Sequence, residues 1–153
     1  MKDSLYADTL AVVDRKEPAI VSPTTTIREA LVDMQTRRVG SLLVCRAHRL
    51  VGIFTERDFL KRVLGQGRDL DAAISTVMTP KPVTAGENEA IGAVIGKMRK
   101  GGYRHLPLVD RAGQAVGQVS VREIVHYLVE HFPKVVYNLP PRPDQVQTAR
   151  EGA

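Results

Sequence analysis

Gly52-Ile53-Phe54-Thr55-Glu56-Arg57-Asp58 returns 65 positions later as Gly117-Gln118-Val119-Ser120-Val121-Arg122-Glu123. Each copy reads as a strand that runs through Thr55 or Ser120 into the start of a helix. Glycine leaves room for the close approach of another backbone or a ligand. Thr55 and Ser120 suit N-caps, and the acid three positions on suits a capping box. Such a helix start also presents free N–H groups and a positive dipole end, which favour an anionic or polar ligand. One Gly-x-x-Ser/Thr-x-x-acid stretch is usually only structural. Its recurrence inside a longer duplication makes it informative.

Working outward, Pro18-Ala19-Ile20-Val21 reads as a short strand and Ser22-Pro23-Thr24-Thr25 as a turn. Thr26-Ile27-Arg28-Glu29 is a capping-box pattern, followed by Ala30, Leu31 and Met34 at helical spacing. Ser41–Cys45 reads as a buried strand, turned back through Arg46-Ala47-His48-Arg49 into Leu50–Phe54. A helix with Phe59, Leu60, Val63 and Leu64 on one face closes the unit. The second half repeats the order. Its parts are a strand Pro82-Val83-Thr84, a helix face of Ile91, Val94, Ile95 and Met98, a strand His105–Val109, a turn, a strand Ala115–Val119, and a helix with Ile124, Val125, Leu128 and Val129. Pro18, Ile27 and Met34 map to Pro82, Ile91 and Met98 at an offset of 64, whereas Gly52 and Leu64 map to Gly117 and Val129 at 65. The offset changes once, in the hairpin. This pattern is an internal duplication of a strand–helix–strand–strand–helix unit. Units of roughly 50 residues bury too little alone, so the two are expected to pack together about a pseudo-twofold axis. Pro107 within a strand places that strand at a sheet edge or beside a cleft.

Of the 153 residues, 43% are apolar and 25% charged, as in a globular chain. No apolar run reaches the ~18 residues of a membrane span, and the N-terminal residues lack a secretory core. Cys45 is the single cysteine and cannot form an internal disulfide, which suits the cytoplasm. A net charge of +5 favours anionic ligands in general. His48, His105, His126 and His131 have no metal-ligand spacing, and no Walker or dinucleotide-binding loop is present. Lys97, Arg99, Lys100 and Arg104 form a basic cluster without interleaved aromatics, so nucleic-acid binding is weakly supported. No catalytic constellation or metal site is visible, and no enzyme is expected.

Val77-Met78-Thr79-Pro80-Lys81-Pro82-Val83-Thr84, Arg104-His105-Leu106-Pro107-Leu108-Val109-Asp110 and the two Gly-x-x-Ser/Thr-x-x-acid stretches resemble those of a tandem pair of CBS domains, the modules named after cystathionine β-synthase. The resemblance covers about residues 14–131. It implies an α+β fold, with two strand–helix–strand–strand–helix repeats packed as an intramolecular pseudo-twofold pair that often dimerises. The expected divisions are an N-terminal arm 1–13, repeat 14–65, linker 66–76, repeat 77–132 and a proline-rich tail 133–153.

The resemblance also implies two clefts for adenosine-containing ligands. In the first, Asp58 would grip the ribose hydroxyls, an acceptor-only task, and Thr55 would contact ribose or phosphate. Val39, Gly40, Ser41 and Ile53 would line the adenine slot, Ala19 would offer backbone polar groups to the base, and Arg104 and His105 would hold phosphate. A second, weaker site would use Val83, Tyr103, Ser120 and Glu123. There Glu123 stands in place of the aspartate, the capping box already engages it, and uncharged Gly40 and Ser41 face the phosphate. The first site is therefore expected to bind phosphorylated ligands more tightly. The reading is a regulatory module that senses an adenine nucleotide, such as AMP, ADP or ATP, and modulates a separate partner as a homodimer. The alternative is a basic interaction module that binds nucleic acid or protein without a small ligand.

Overall fold

The structure is a computed structural model that describes residues 7–132. The expected tail at 133–153 and the first residues of the arm lie outside the described residues. In repeat 1, β1 (Ile20–Val21) leads to α1 (Ile27–Arg37), then to the hairpin β2 (Ser41–Arg46) and β3 (Arg49–Thr55), and on to the helical segment α2 (56–66). A short strand, β4 (Thr79–Pro80), completes a four-stranded sheet of order β1-β2-β3-β4. In repeat 2, α3 (Ile91–Gly101) is followed by the hairpin β5 (His105–Val109) and β6 (Ala115–Ser120), and then by α4 (Val121–His131). The chain is thus mixed α/β and built as a pair.

The local reasons are legible residue by residue. Thr26 caps α1 with its side chain on Glu29 N, and Glu29 returns the bond to Thr26 N. Ile27, Ala30 and Met34 face the core. Both hairpins carry a register irregularity at the same place, between Val44 and Cys45 and between Leu108 and Val109. Cys45 pairs with Leu50, whereas Val109 pairs with Ala115, so the extra residue of repeat 2 lies in the turn, where the sequence offset changes. The hairpin tips meet reciprocally. Leu50 N donates to Gly113 O and Ala115 N to His48 O, two bonds that exchange under the repeat relation. Between the sheets, Leu43, Cys45 and Ile53 pack with Leu50 and Ala115.

The segments that precede each repeat cross over. Leu10 and Val13 are buried in the core of repeat 2, with Ile91, Val94 and Leu106. Ile74 and Val77, 64 positions later, are buried in the core of repeat 1. The backbone bonds match: Ile91 N donates to Asp8 O, and Ile27 N to Ala72 O. The residues expected to be an arm and a linker are therefore equivalent to each other, and each completes the opposite core.

Three sequence expectations need correction. Pro82-Val83-Thr84 forms no strand. Leu43 N donates to Ala19 O in repeat 1, but its counterpart Pro107 has no N–H, and the parallel pairing shrinks to a single bridge between Ala85 and Leu108. Next, α2 is not a uniform helix. It starts as α over Glu56–Asp58, widens to π over Phe59–Val63 and tightens to 3-10 over Leu64–Gln66. Because π bonds run i to i+5, the apolar face slips, so Val63 is buried while Leu60 and Leu64 point to solvent. In α4, Tyr127 takes the buried seat, with its hydroxyl bonded to Asp8, and Val125 faces out.

Candidate functional site

Strand β3 delivers Thr55 to the first turn of α2. Asp58 Oδ2 accepts from Thr55 N at 3.0 Å and Thr55 Oγ1 at 3.2 Å, and Asp58 N donates to Thr55 Oγ1 at 3.2 Å. The other oxygen, Oδ1, accepts from Thr79 Oγ1 at 3.2 Å and lies 3.8 Å from Arg62 Nε. Asp58 is only 7% exposed, so these bonds replace the water that a buried carboxylate loses. Ser41 pairs with Thr55 across the hairpin and is fully buried, its Oγ donating to Gln118 Oε1 of repeat 2 at 3.0 Å.

The other repeat reaches this helix start through His105. A Cβ added to Gly40 would sit 2.4 Å from Glu56 Oε1 and 3.8 Å from His105 Cε1. Glycine at position 40 thus leaves room for the Glu56 carboxylate, next to His105 of the other repeat. Burial pushes the His105 pKa down; Glu123 and Glu56 oppose that and Arg104 adds to it. The lowered pKa favours the neutral imidazole, and Arg104 adjoins His105 as a permanent cation. The Arg104 side chain is exposed, with no ion pair among the described residues, and its carbonyl accepts from Val121 N.

Ile53 is buried beside this site and pairs with Thr79. Ala19 is buried, with its carbonyl engaged by Leu43 N, and Val39 packs against the core of repeat 1. At the second helix start, Glu123 Oε1 accepts from Ser120 N and Oγ, and Glu123 Oε2 accepts from Lys16 N at 2.7 Å. Both acids therefore close capping boxes, so the box does not separate the two sites as the sequence argument held. Val83 is 40% exposed. Tyr103 lines an apolar groove between α3 and α4 with Met98 and Ile124. A polar groove of about 210 Å³ runs beside β6, lined by residues 13–18 and by Val116, Gly117 and Gln118. Sequence reasoning missed Arg62, Thr79 and Lys16 as neighbours of the two acids. Thr79 stood inside a quoted motif; Lys16 acts through its backbone and left no signal.

Cys45 is buried, and burial pushes its thiol pKa up, the opposite of an activated nucleophile. Among the described residues, no group of three or more His, Cys, Asp or Glu could hold a metal ion, and no helix is long and apolar enough to cross a membrane.

The family model of the CBS domain matches residues 11–65 and again 74–130. The chain belongs to the CBS-domain family. A relative from Acidianus ambivalens, an uncharacterized 17.7 kDa protein, is 34% identical over 72% of this chain and 67% of its own length. Other curated relatives are longer: the match to a CBS domain-containing protein of Arabidopsis thaliana covers 23% of that protein. Among solved structures, a CBS domain protein from Pyrobaculum aerophilum complexed with AMP has a TM-score of 0.71 and 26% identity, covering 80% of this chain and 99% of the other. The CBS domain pair of protein MJ0100, in complex with 5′-methylthioadenosine and S-adenosyl-L-methionine, has a TM-score of 0.73 and 28% identity, covering 79% and 99%. The two matched CBS domains correspond to the two repeats, and the family extends to chains that share the pair but differ in length.

Proposed function

We propose that this CBS pair is a regulatory module that binds an adenosine-containing ligand, of the AMP, ADP, ATP or related class, between its repeats and modulates a separate partner. The observation that carries the reading is the buried Asp58 carboxylate at a helix start, with Thr55 beside it and with His105 of the other repeat near Glu56 of the same helical turn. A carboxylate suits ribose hydroxyls, and the helix N-terminus together with Arg104 suits phosphate. Two similar structures hold AMP or adenosyl compounds. Ligand at 100 times its Kd would stabilise the bound arrangement by about 2.7 kcal/mol, enough to shift a two-state equilibrium. The reading assigns no chemistry to the chain and places it in the cytoplasm.

Homodimerisation belongs to the same proposal. An apolar groove of about 360 Å³ lies between α3 and α4, and Val125, Leu60 and Leu64 are exposed on helix surfaces. Sedimentation at micromolar concentration should show a dimer. Calorimetry with a panel of adenosine and pyrimidine compounds tests the ligand. Binding of the adenosine compounds alone supports the reading, and no heat from any of them at millimolar concentration ends it.

A further inference from the structure

The two hairpin tips lie at the far end of the sheets from the helix starts. Strand β2 runs from Ser41, which pairs with Thr55, to Arg46, about 17 Å at the usual rise per residue. At that end the tips are tied across the repeats. Leu50 N donates to Gly113 O, Ala115 N donates to His48 O, and Arg49 bridges to Gln114. The Arg49 guanidinium reaches over the turn of repeat 2, with Nη2 donating to Ala112 O at 2.9 Å. These ties make one surface of the two turns.

That surface is cationic. Arg46, His48 and Arg49 come from the first turn and Arg111 from the second, all of them exposed. Lys81, also exposed, stands beside the same end of β3, with its N–H on Val51 O. Among the described residues, neither Lys81 nor any of these arginines makes an ion pair. The acid in these turns, Asp110, turns Oδ1 inward to accept from Ala112 N and Gln114 N, both at 2.9 Å.

The arrangement is held against two local costs. Arg46 and Arg49 are directly opposed in the hairpin register, where like charges destabilise. Ala47 and His48 form a two-residue turn with φ of 50° and 69°, which Asn-Gly would fill with little strain. The turn of repeat 2 has Gly113 at its positive φ. Neither cost serves the fold, since an opposite charge at position 46 and Asn-Gly at the tip would hold the same hairpin better. Strain kept at an exposed, charged point directs attention to binding. Val116, 43% exposed and next to Ala115, adds an apolar side chain beside the cations. Guanidinium forks match carboxylates two bonds at a time, and an apolar neighbour suits a protein surface better than a phosphate backbone. Neither turn carries an aromatic side chain to stack on a base.

We propose that the joined hairpin tips dock an acidic protein surface, whose carboxylates engage Arg46, Arg49 and Arg111. This names the contact through which the regulatory module meets its partner, and it rests on that reading only for the existence of a partner. The surface is assembled from both repeats, so its cations hold their spacing only while the repeats hold their relative orientation. A ligand between the repeats, at the other end of the same strands, would thereby tune the affinity of the tips.

Fluorescence anisotropy of a labelled oligoglutamate peptide, titrated with the full chain at low salt, tests this. Arg46→Glu with Arg111→Glu should weaken the peptide by about tenfold, a few-fold for each exposed charge reversed. Lys61→Glu with Lys100→Glu makes the same change of net charge at exposed positions elsewhere, and it should weaken the peptide by no more than about twofold, through screened long-range attraction. Arg46→Glu alone should raise the melting temperature by up to a few degrees, because it pairs with Arg49, so weaker binding is not unfolding. Equal losses in the two double variants, or no binding of the peptide by wild type, overturn the docking surface. Tighter binding of an oligothymidylate of equal charge, lost in the tip variant, overturns the acidic protein partner and makes the tips a nucleic-acid contact. Calorimetry with adenosine separates the two readings. Peptide binding lost at the tips, in a protein that binds no adenosine compound, keeps the docking surface and overturns the ligand reading.

Discussion

Leu10→Ala should destabilise repeat 2, although Leu10 precedes repeat 1 in the chain. Leu10 is fully buried beside Ile91, Val94 and Leu106, and its counterpart Ile74 is fully buried in the core of repeat 1. Truncating a fully buried leucine or isoleucine to alanine costs about 2–5 kcal/mol, a sum of lost transfer energy and residual cavity. The two variants should lose similar amounts, because their seats are related by the repeat. Val12, 55% exposed two residues further on, is the control, and Val12→Ala should stay within about 0.5 kcal/mol of wild type. Urea unfolding of the three variants gives the differences directly. The melting temperature should fall by roughly 2–4 °C for each kcal/mol lost. If Leu10→Ala cannot be told from Val12→Ala, the crossed packing of the two leading segments is wrong, and with it the equivalence of arm and connector.

Arg38→Gly should stabilise the protein by about 0.5–1 kcal/mol, because Arg38 ends α1 at φ 55° where the repeat partner has Gly102 at φ 69°; a thermal melt reads this. Arg104→Ala should weaken AMP about tenfold more than adenosine by calorimetry, since only AMP carries the phosphate; equal losses would remove its phosphate role. Asp58→Ala and Glu123→Ala should each cost about 1 kcal/mol by opening a capping box, but only Asp58→Ala should abolish most nucleotide binding. His105 has a folded-state pKa below its ordinary value, so the unfolded chain takes up the proton first as the pH falls. Its contribution to stability is complete above about pH 6.5 and is lost below it, toward the folded-state value. Urea titrations from pH 8 to 5 should show this slope, and His105→Gln should flatten it.

The duplication, its single change of offset and the three capping boxes were legible in the sequence because each depends on neighbours in the chain. Capping needs only Thr26 and Glu29, or Ser120 and Glu123, three positions apart. The site was half legible. Thr55 and Asp58 announce a helix start locally, and His105 could be placed opposite only through the family pattern. What tertiary structure decided lies where distant segments meet. The missing N–H of Pro107 dissolved a strand more than 20 residues earlier in the chain, because the ladder partner of that strand had no donor. A π turn in α2 moved Leu60 and Leu64 to the surface, a phase slip that periodicity cannot see in advance. The crossing of residues 8–13 and 72–77 could not be read locally, because an apolar Leu10 or Ile74 states that it will be buried but not in which core. Chain geometry and the twofold relation of the repeats settle that choice, and they also bring Thr79 and Lys16 onto the two acids.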